Sequence, residues 1–383
     1  MRLATQVRAH LAADDVGRLT HAVAKLSQDS RLIVFFGSGR SSQTNQAIAQ
    51  VAGWNIPGVG EPAQKLRPRT RIYSTCDPDT LRQLAQSLDF TRTALVFAPD
   101  SHVPQTTLTQ ARALMPACLG ALGPAAGERI VCLAPHGQGI GPAVGATAEL
   151  ISQIERVGGQ IVPVLEPGFG LSAAQLMVGI ARGVDVAAVQ AGALAKLAAM
   201  RTELTGEIGD DDAPSPHGPD GHAADVDAQA ALVWQAYLGA RLAIDAACRR
   251  VTAVQVMSAS DRMARGAQWY RSQLMSADAG LFVGVEAQPV LGEDLAVLGL
   301  GGCEPRSTSV PIVLIDSMLA LADESAGWIA QVLDAACSCE RLVRRLTVDP
   351  DDMASVGAFF AGGLIDAALL PVARAAADRA LET

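Results

Sequence analysis

The chain has 383 residues, of which 49% are hydrophobic and 18% are charged. This length exceeds what a single hydrophobic core usually supports, so two domains are expected. The formal net charge of −9 argues against a general nucleic-acid-binding protein or a protein that binds anionic membranes.

Short apolar runs alternate with helical patterns through the first half of the chain. The runs that predict strands are RLIVFF (31–36), RIYST (71–75), TALVFA (93–98), RIVCLA (129–134) and Gln160–Leu165. The intervening patterns predict helices at 42–52, 78–88, 105–119 and 142–157. This repetition is typical of a parallel sheet with right-handed crossovers and helices on both faces.

The second half resumes the same alternation after two unusual segments. Residues 171–202 are alanine-rich and helical in pattern, whereas 205–227 contain three consecutive aspartates with several prolines and glycines, which predicts an exposed loop. Strands are then predicted at 251–258, 281–286, 295–300 and 310–316, and helices at 228–250, 261–276, 321–345 and 351–380. The whole pattern predicts an α/β protein with two doubly wound parallel sheets, each an αβα sandwich.

The predicted boundaries follow from these elements. A first domain with a short N-terminal helix covers 1–167, a second domain with the acidic loop covers 168–350, and a C-terminal helix covers 351–383. The N-terminus has charges throughout, and no segment holds 18 uncharged apolar residues. These features predict a soluble, cytoplasmic protein with no membrane or nucleic-acid partner.

Cysteine and histidine positions do not form a metal-binding pattern. The seven cysteines lie mostly in apolar stretches, which is typical of reduced, buried thiols. Cys337 and Cys339 lack a second cysteine or histidine pair, and His217 and His222 lie in the acidic loop. We therefore predict no metal and no cofactor. The basic cluster at 65–71 is interpreted as a solvated loop rather than a nucleic-acid patch.

The segment FFGSGRSSQTNQAIAQ (35–50) has the composition of a phosphate-binding turn. Its hydroxyls Ser38, Ser41, Ser42 and Thr44 follow a predicted strand and enter a helix, whose N-terminal N–H groups attract anions. The alternative is an ordinary helix start that Ser41 or Ser42 caps. The glycines alone do not decide between them, because the segment has no third glycine and no GK[ST] sequence.

Four segments, in order, resemble the phosphoglucose isomerase (glucose-6-phosphate isomerase) family. They are GSGRSSQTNQAIAQ, the stretch 76–114 that begins CDPDTL, VGGQIVPVL (157–165) and AQWYRSQLMSADAG (267–280). Members of that family consist of two sugar-isomerase (SIS) domains, so the resemblance implies two SIS-like domains and a sugar phosphate as ligand. It also implies a homodimer, or a hetero-oligomer with a metabolic enzyme.

The residues that the resemblance aligns with the family's catalytic groups are altered. Isomerisation needs a base, a cation for the enediolate and a ring-opening acid or base. Ala277 stands where the family has its glutamate base, with Asp278 beside it, and Gln160 replaces an arginine. This sequence has no histidine after His222 and no lysine after Lys196, where the family has its late histidine and lysine.

The turn that binds phosphate in the family is also altered. In this sequence it includes Pro99, Asp100 and Pro104. Arg40 either binds a phosphate directly or fills the pocket and pairs with Asp100. No catalytic residue is predicted. The candidate ligand-binding residues are Ser38, Arg40, Ser41, Ser42, Ser101, Thr106, Gln160 and Asp278.

Three hypotheses follow for the function. The first is a catalytically degenerate relative that binds a sugar phosphate or serves as a regulatory or structural subunit in hexose-phosphate metabolism. The second is an active aldose–ketose isomerase, converting glucose 6-phosphate to fructose 6-phosphate, that uses residues such as Asp278, Glu286 or Arg262. The third is a sensor of the same fold that binds a different ligand.

Overall fold

The structure is a computed structural model, and it describes two compact units, Met1–Ala188 and Val189–Thr383. The residues it describes are 15–37, 39–54, 67–99, 104–136, 145–165, 173–205, 253–258, 261–277, 282–286, 312–317 and 343–382. The predicted helix 228–250 and strand 295–300 lie outside these ranges, as does nearly all of the predicted loop 205–227. None of the described helices combines the length and the hydropathy needed to cross a bilayer.

The first unit alternates helices and strands, as the sequence predicted. Its helices are α1 (Asp15–Asp29), α2 (Gly39–Val51), α3 (Pro78–Ser87), α4 (Pro104–Leu122), α5 (Gly145–Arg156) and α6 (Ala173–Arg182). Its strands are β1 (Leu32–Gly37), β2 (Arg69–Tyr73), β3 (Thr93–Ala98), β4 (Ile130–His136) and β5 (Gln160–Leu165). Helix α6 packs on α1 and α2 within this unit.

The five strands form one parallel sheet in the order β2-β1-β3-β4-β5. Alternate residues of each strand face opposite sides. Val34, Phe36, Leu95 and Phe97 lie in a buried core with residues of α3, α4 and α5. Helix α6 contacts both α1 and α2, and all three helices contact the sheet, so helices lie on both faces.

Local sequence explains where α3 begins. Asp77 is its N-cap, and its carboxylate accepts hydrogen bonds from the Thr80 backbone N–H at 2.7 Å and from the Thr80 hydroxyl at 2.6 Å. Pro78 follows at the position where a missing N–H costs nothing. The hydrogen bonds from the Thr80 hydroxyl and backbone lower the pKa of the Asp77 carboxyl below its usual value.

The second unit contains a smaller parallel sheet of the same kind. Its strands are β6 (Ala253–Ser258), β7 (Phe282–Glu286), β8 (Ile312–Ser317) and β9 (Val343–Val348), in the order β7-β6-β8-β9. Its described helices are α7 (Val186–Thr205), which starts three residues before this unit, α8 (Ala264–Ala277) and α9 (Met353–Glu382). The predicted fold class, α/β with two parallel sheets, is confirmed.

One described segment differs in type from the prediction. Residues 343–345 were expected to end a helix, but they begin β9, which pairs with β8. The sequence VRRLTV has β-branched residues at both ends, and its two arginines are the kind of charge that edge strands carry. The remainder of the predicted helix, 321–342, lies outside the described residues.

Candidate functional site

The strand order reverses between β1 and β3, and this reversal marks a candidate site in the first unit. Strands β1 and β3 are neighbours, with Gly37 beside Ala98 at their carboxyl ends. The chain leaves β1 for α2 and leaves β3 for α4. In open parallel sheets, ligands bind in the crevice that forms where connections depart in opposite directions.

Glycine is required both at the end of β1 and at the start of α2. A Cβ at Gly37 would lie 3.0 Å from the carbonyl oxygen of Ala98, which is closer than side chains normally approach. Gly39 has a φ of 58°, in the left-handed region that other residues avoid. The close approach of Gly37 to Ala98 and the left-handed Gly39 therefore fix where the chain leaves β1 for α2.

Several polar side chains of α2 make hydrogen bonds within the protein. Ser42 is buried, and its hydroxyl accepts a hydrogen bond from Gln46 Nε2 at 3.2 Å. Asn45 Oδ1 accepts from the backbone N–H of Val178 at 3.0 Å and ties α2 to α6. Because α2 begins at Gly39, Ser41 and Ser42 lie inside its first turn and are not the N-cap that the sequence suggested.

The start of α4 contributes a second set of polar groups. The carbonyl of Thr106 accepts a hydrogen bond from the Cys76 thiol at 3.5 Å. Gln110 Nε2 donates to the carbonyls of Tyr73 and Thr75, at 3.3 and 2.9 Å, and so holds the end of β2. Thr107 Oγ1 and Gln110 Oε1 are buried and have no hydrogen-bond partner among the described residues.

Two helix N-termini therefore face one edge of the sheet. Helices α2 and α4 follow β1 and β3 directly, so their first N–H groups lie at the carboxyl ends of these paired strands. Each N-terminus carries about half a positive charge. This arrangement favours an anion such as a phosphate group in the crevice.

Seven of the eight predicted site residues fall into three groups. Ser42 and Thr106 lie near this edge of the first sheet, in α2 and α4. Arg40 and Ser41 belong to the first turn of α2, but only their backbone is described. Three further candidates lie outside the described residues, namely Ser38, Ser101 and Asp278.

Gln160 lies at the opposite edge of the sheet from these residues. It is the first residue of β5, and it pairs in register with Val131 near the start of β4. In a parallel sheet the amino ends of all strands share one edge, so Gln160 cannot join a ligand at the carboxyl ends of β1 and β3. The glycine pair before it, Gly158 and Gly159, makes the turn from α5 into β5.

Two of the three residues suggested as alternative catalytic groups, Arg262 and Glu286, are described, and they lie in the second unit. Arg262 donates to Asp351 Oδ1 at 2.8 Å and to the carbonyl of Pro350 at 2.9 Å, so it holds the segment before α9. Glu286 is the last residue of β7. Ala277, at the position of the family's base, is the last residue of α8.

The comparisons with known proteins agree with this fold. No protein-family profile matches the chain, and no curated protein matches it. A glucose-6-phosphate isomerase from Chlamydia trachomatis has 13% identity and a TM-score of 0.60, over 96% of this chain and 72% of that one. A hypothetical protein from Thermus thermophilus has 16% identity and a TM-score of 0.58, over 96% and 89% of the two chains.

A third solved structure extends the comparison. The C-terminal domain of glucosamine-fructose-6-phosphate aminotransferase from Francisella tularensis has 11% identity and a TM-score of 0.50, over 96% of this chain and 95% of that one. Identities this low show a shared fold and nothing about the site. The predicted SIS-like fold is confirmed, while membership of the phosphoglucose isomerase family stays a prediction.

Thiol chemistry offers a first test of the packing around α4. We expect Cys76 to react with iodoacetamide at pH 8, while Cys118 and Cys132 stay unmodified in the native protein. Cys76 is exposed. Burial raises the pKa of Cys118 to about 11 and that of Cys132 to about 12, so both remain protonated thiols at this pH.

Peptide mapping by mass spectrometry measures this difference. Protein unfolded in urea is the control, in which all three cysteines should be alkylated at similar rates. Native Cys132 reacting as fast as Cys76 would contradict the packing described for β4.

Proposed function

We propose that this protein binds a sugar phosphate in the crevice between β1 and β3 and does not isomerise it. The observation that carries the proposal is the pairing of two helix N-termini at the reversal point of the first sheet. The solved structures of this fold include a glucose-6-phosphate isomerase, which supports a phosphosugar as the ligand class.

The buried oxygens of α4 support a ligand with hydroxyl groups. Thr107 Oγ1 and Gln110 Oε1 lie one helical turn apart and have no partner among the described residues. An unsatisfied buried polar atom costs about 1–3 kcal/mol, so such atoms are normally paired with protein, water or ligand. A water or sugar hydroxyl at the start of α4 would supply the missing donors.

The loss of catalysis is inferred from several side chains together. Moving a proton between two sugar carbons needs a base, and alanine at 277 cannot serve as one. Gln160, at the amino edge of the first sheet, is too far along the strands to stabilise an enediolate at their carboxyl ends. No histidine follows His222 in this sequence to open a sugar ring.

Titration calorimetry with glucose 6-phosphate and fructose 6-phosphate tests the binding, with unphosphorylated glucose as the control ligand. We expect binding of a phosphosugar and none of glucose. A ligand at 100 times its Kd also stabilises the protein by about 2.7 kcal/mol, which a thermal melt detects. Absence of heat and of any thermal shift across the phosphosugars would overturn the proposed ligand class.

A matched pair of glycine variants locates the site. Gly39 and Gly123 both have a φ of 58°, so replacement by alanine strains both positions to a similar degree, by roughly 1 kcal/mol. Gly123 follows α4 at the other end of that helix. We expect Gly39→Ala to weaken phosphosugar binding at least tenfold and Gly123→Ala to leave it within a factor of two.

A separate assay tests the proposal that the protein does not isomerise its ligand. Fructose 6-phosphate is supplied to purified protein, and glucose 6-phosphate is detected through a coupled dehydrogenase. We expect no rate above that of a protein-free control. Conversion that persists after separation from any host isomerase would establish the active alternative, and it would leave the binding proposal in place.

A further inference from the structure

A pocket of about 520 Å³ lies along the outer edge of β2, apart from the crevice between β1 and β3. Within the described part of the chain, no strand pairs with this edge. The pocket is lined by Trp54, which follows α2, by residues 69–73 of β2 and by Arg182 at the end of α6. Its volume is in the range typical of sites for small molecules.

The lining carries a concentration of positive charge. Arg69 and Arg71 are two residues apart on one strand, so their side chains leave the same face of β2 as Tyr73, about 6.6 Å apart. Arg182 comes from α6 on the other face, and the pocket contacts both sides of this edge strand. Arg67 is close by, because a Cβ at Gly183 would come within 2.7 Å of its guanidinium carbon. No carboxylate in the described ranges forms an ion pair with these three arginines or with Arg182.

Arg182 is held in place while part of its guanidinium remains unpaired. Its Nη2 donates to the carbonyl of Ala52 at 3.3 Å. Its Nε is buried and has no partner among the residues that the structure describes. Burial also lowers the pKa of Arg182, because the charged form loses hydration without gaining a counter-ion. A bound anion in the pocket would supply the counter-ion.

Trp54 provides a fixed aromatic group in the same pocket. Its Nε1 donates to the carbonyl of Thr70 at 3.2 Å, and this bond holds the half-buried ring against the outer edge of β2. A fixed aromatic ring beside guanidinium groups is suited to a ligand that combines a planar ring with anionic groups. The sequence alone had suggested a solvated loop for the basic cluster at 65–71.

We propose that this pocket is a binding site for a small organic polyphosphate, of the size and chemistry of a nucleoside diphosphate. The arginines bind the phosphate oxygens, for which the planar guanidinium offers paired donors. Trp54 contacts the planar ring. This site is independent of the proposed phosphosugar crevice, so the failure of either proposal leaves the other standing.

Calorimetry on the full chain tests the proposal with ADP and with inorganic pyrophosphate as probes, in buffer without divalent cations. We expect binding that weakens as the NaCl concentration rises, since charge pairs at the surface are screened. Binding of ADP alone assigns the site to a nucleotide. Binding of pyrophosphate with equal affinity assigns it to the polyphosphate group without the ring.

Two variants and a control locate the binding. The double variant Arg69→Gln/Arg71→Gln changes exposed side chains, and Arg182→Gln changes the buried donor. We expect each to raise the Kd for ADP at least tenfold. Arg82→Gln is the control, because Arg82 is an exposed arginine on α3 that pairs with Asp79, and it should change the Kd less than twofold.

Three results would overturn the proposal. One is the absence of heat with both probes, and another is a Kd that the double variant leaves unchanged although it folds. The third is an affinity for a single-stranded oligonucleotide far above that for ADP, which would make the basic edge a nucleic-acid surface. Saturating fructose 6-phosphate should not displace ADP, which separates this pocket from the crevice.

Discussion

Replacing Gly357 by valine is expected to lower the free energy of unfolding of the second unit by about 3 kcal/mol. A Cβ at Gly357, in α9, would lie 1.8 Å from the carbonyl oxygen of Val189, in α7. The contact is reciprocal, because a Cβ at Gly192 would lie 1.9 Å from the carbonyl oxygen of Ala354. The two helix backbones touch at this crossing, so any side chain must push them apart.

A second glycine of α9 provides the control for this prediction. A Cβ at Gly362 would meet no atom within 4 Å. Gly362→Ala should therefore leave stability unchanged or raise it by up to about 1 kcal/mol through helix propensity. Urea unfolding followed by circular dichroism measures both variants. Equal midpoints for Gly357→Val and Gly362→Ala would show that α7 and α9 do not pack through their glycines.

Local patterning explains why the sequence predicted most elements of the first unit. Strand β3 is buried on both faces and therefore gives a continuous apolar run, which predicted its observed ends. The edge strand β5 is also mostly apolar, and its ends were predicted as observed although Pro163 is exposed. Strand β2 was placed two residues too late, because its first residues, Arg69 and Thr70, belong to a basic cluster. An edge strand can carry such charges, so hydrophobicity alone does not mark its start.

The candidate site was only partly predictable, for a physical reason. A glycine-rich turn after an apolar run indicates the carboxyl end of a strand, and this located the turn into α2, although the helix begins at Gly39, before the predicted start at residue 42. Gln160 was included by resemblance, although the predicted parallel strand Gln160–Leu165 already placed it at the amino edge, and the strand register agrees. The unpaired oxygens of Thr107 and Gln110 depend on packing against the end of β2, which no local pattern encodes.

The pocket at the outer edge of β2 was even harder to predict from the sequence than the crevice. Arg71 and Arg182 are more than 100 residues apart in the chain, yet both line one pocket beside Trp54. The sequence displays the basic cluster at 65–71 but gives no sign that α6 ends beside it. Tertiary contact between α2 and α6 creates the pocket, because it brings Ala52, Trp54 and Arg182 to one side of β2.

The two proposed sites have different physical origins. The crevice between β1 and β3 attracts anions through helix N-termini, whose backbone N–H groups persist through changes of side chain. A fold can therefore keep a phosphate site there after its catalytic side chains are gone. The pocket at β2 depends on guanidinium groups, so single substitutions can create or remove it. Side-chain substitutions that leave the backbone unchanged should consequently affect the second site much more strongly than the first.

Replacing Tyr270 by phenylalanine is expected to lower the free energy of unfolding by about 2 kcal/mol. The Tyr270 hydroxyl donates to Asp366 Oδ2 at 2.6 Å, and both side chains are buried. This bond joins α8 to α9 beside a cluster of aromatic rings. The ring centres of Trp269 and Phe360 in this cluster are 4.6 Å apart. Phenylalanine keeps the ring but removes the hydrogen bond that the hydroxyl donates to the buried Asp366 carboxylate.

A double-mutant cycle with Asp366→Asn separates the bond from the packing. Because the two side chains are in direct contact, we expect a coupling energy of about 1–2 kcal/mol rather than additive losses. Tyr73→Phe is the control, since the Tyr73 ring stacks on Phe36 at 6.0 Å and its hydroxyl has no partner among the described residues. Additivity within about 0.3 kcal/mol would show that the bond between α8 and α9 adds nothing to stability beyond the packing of the ring.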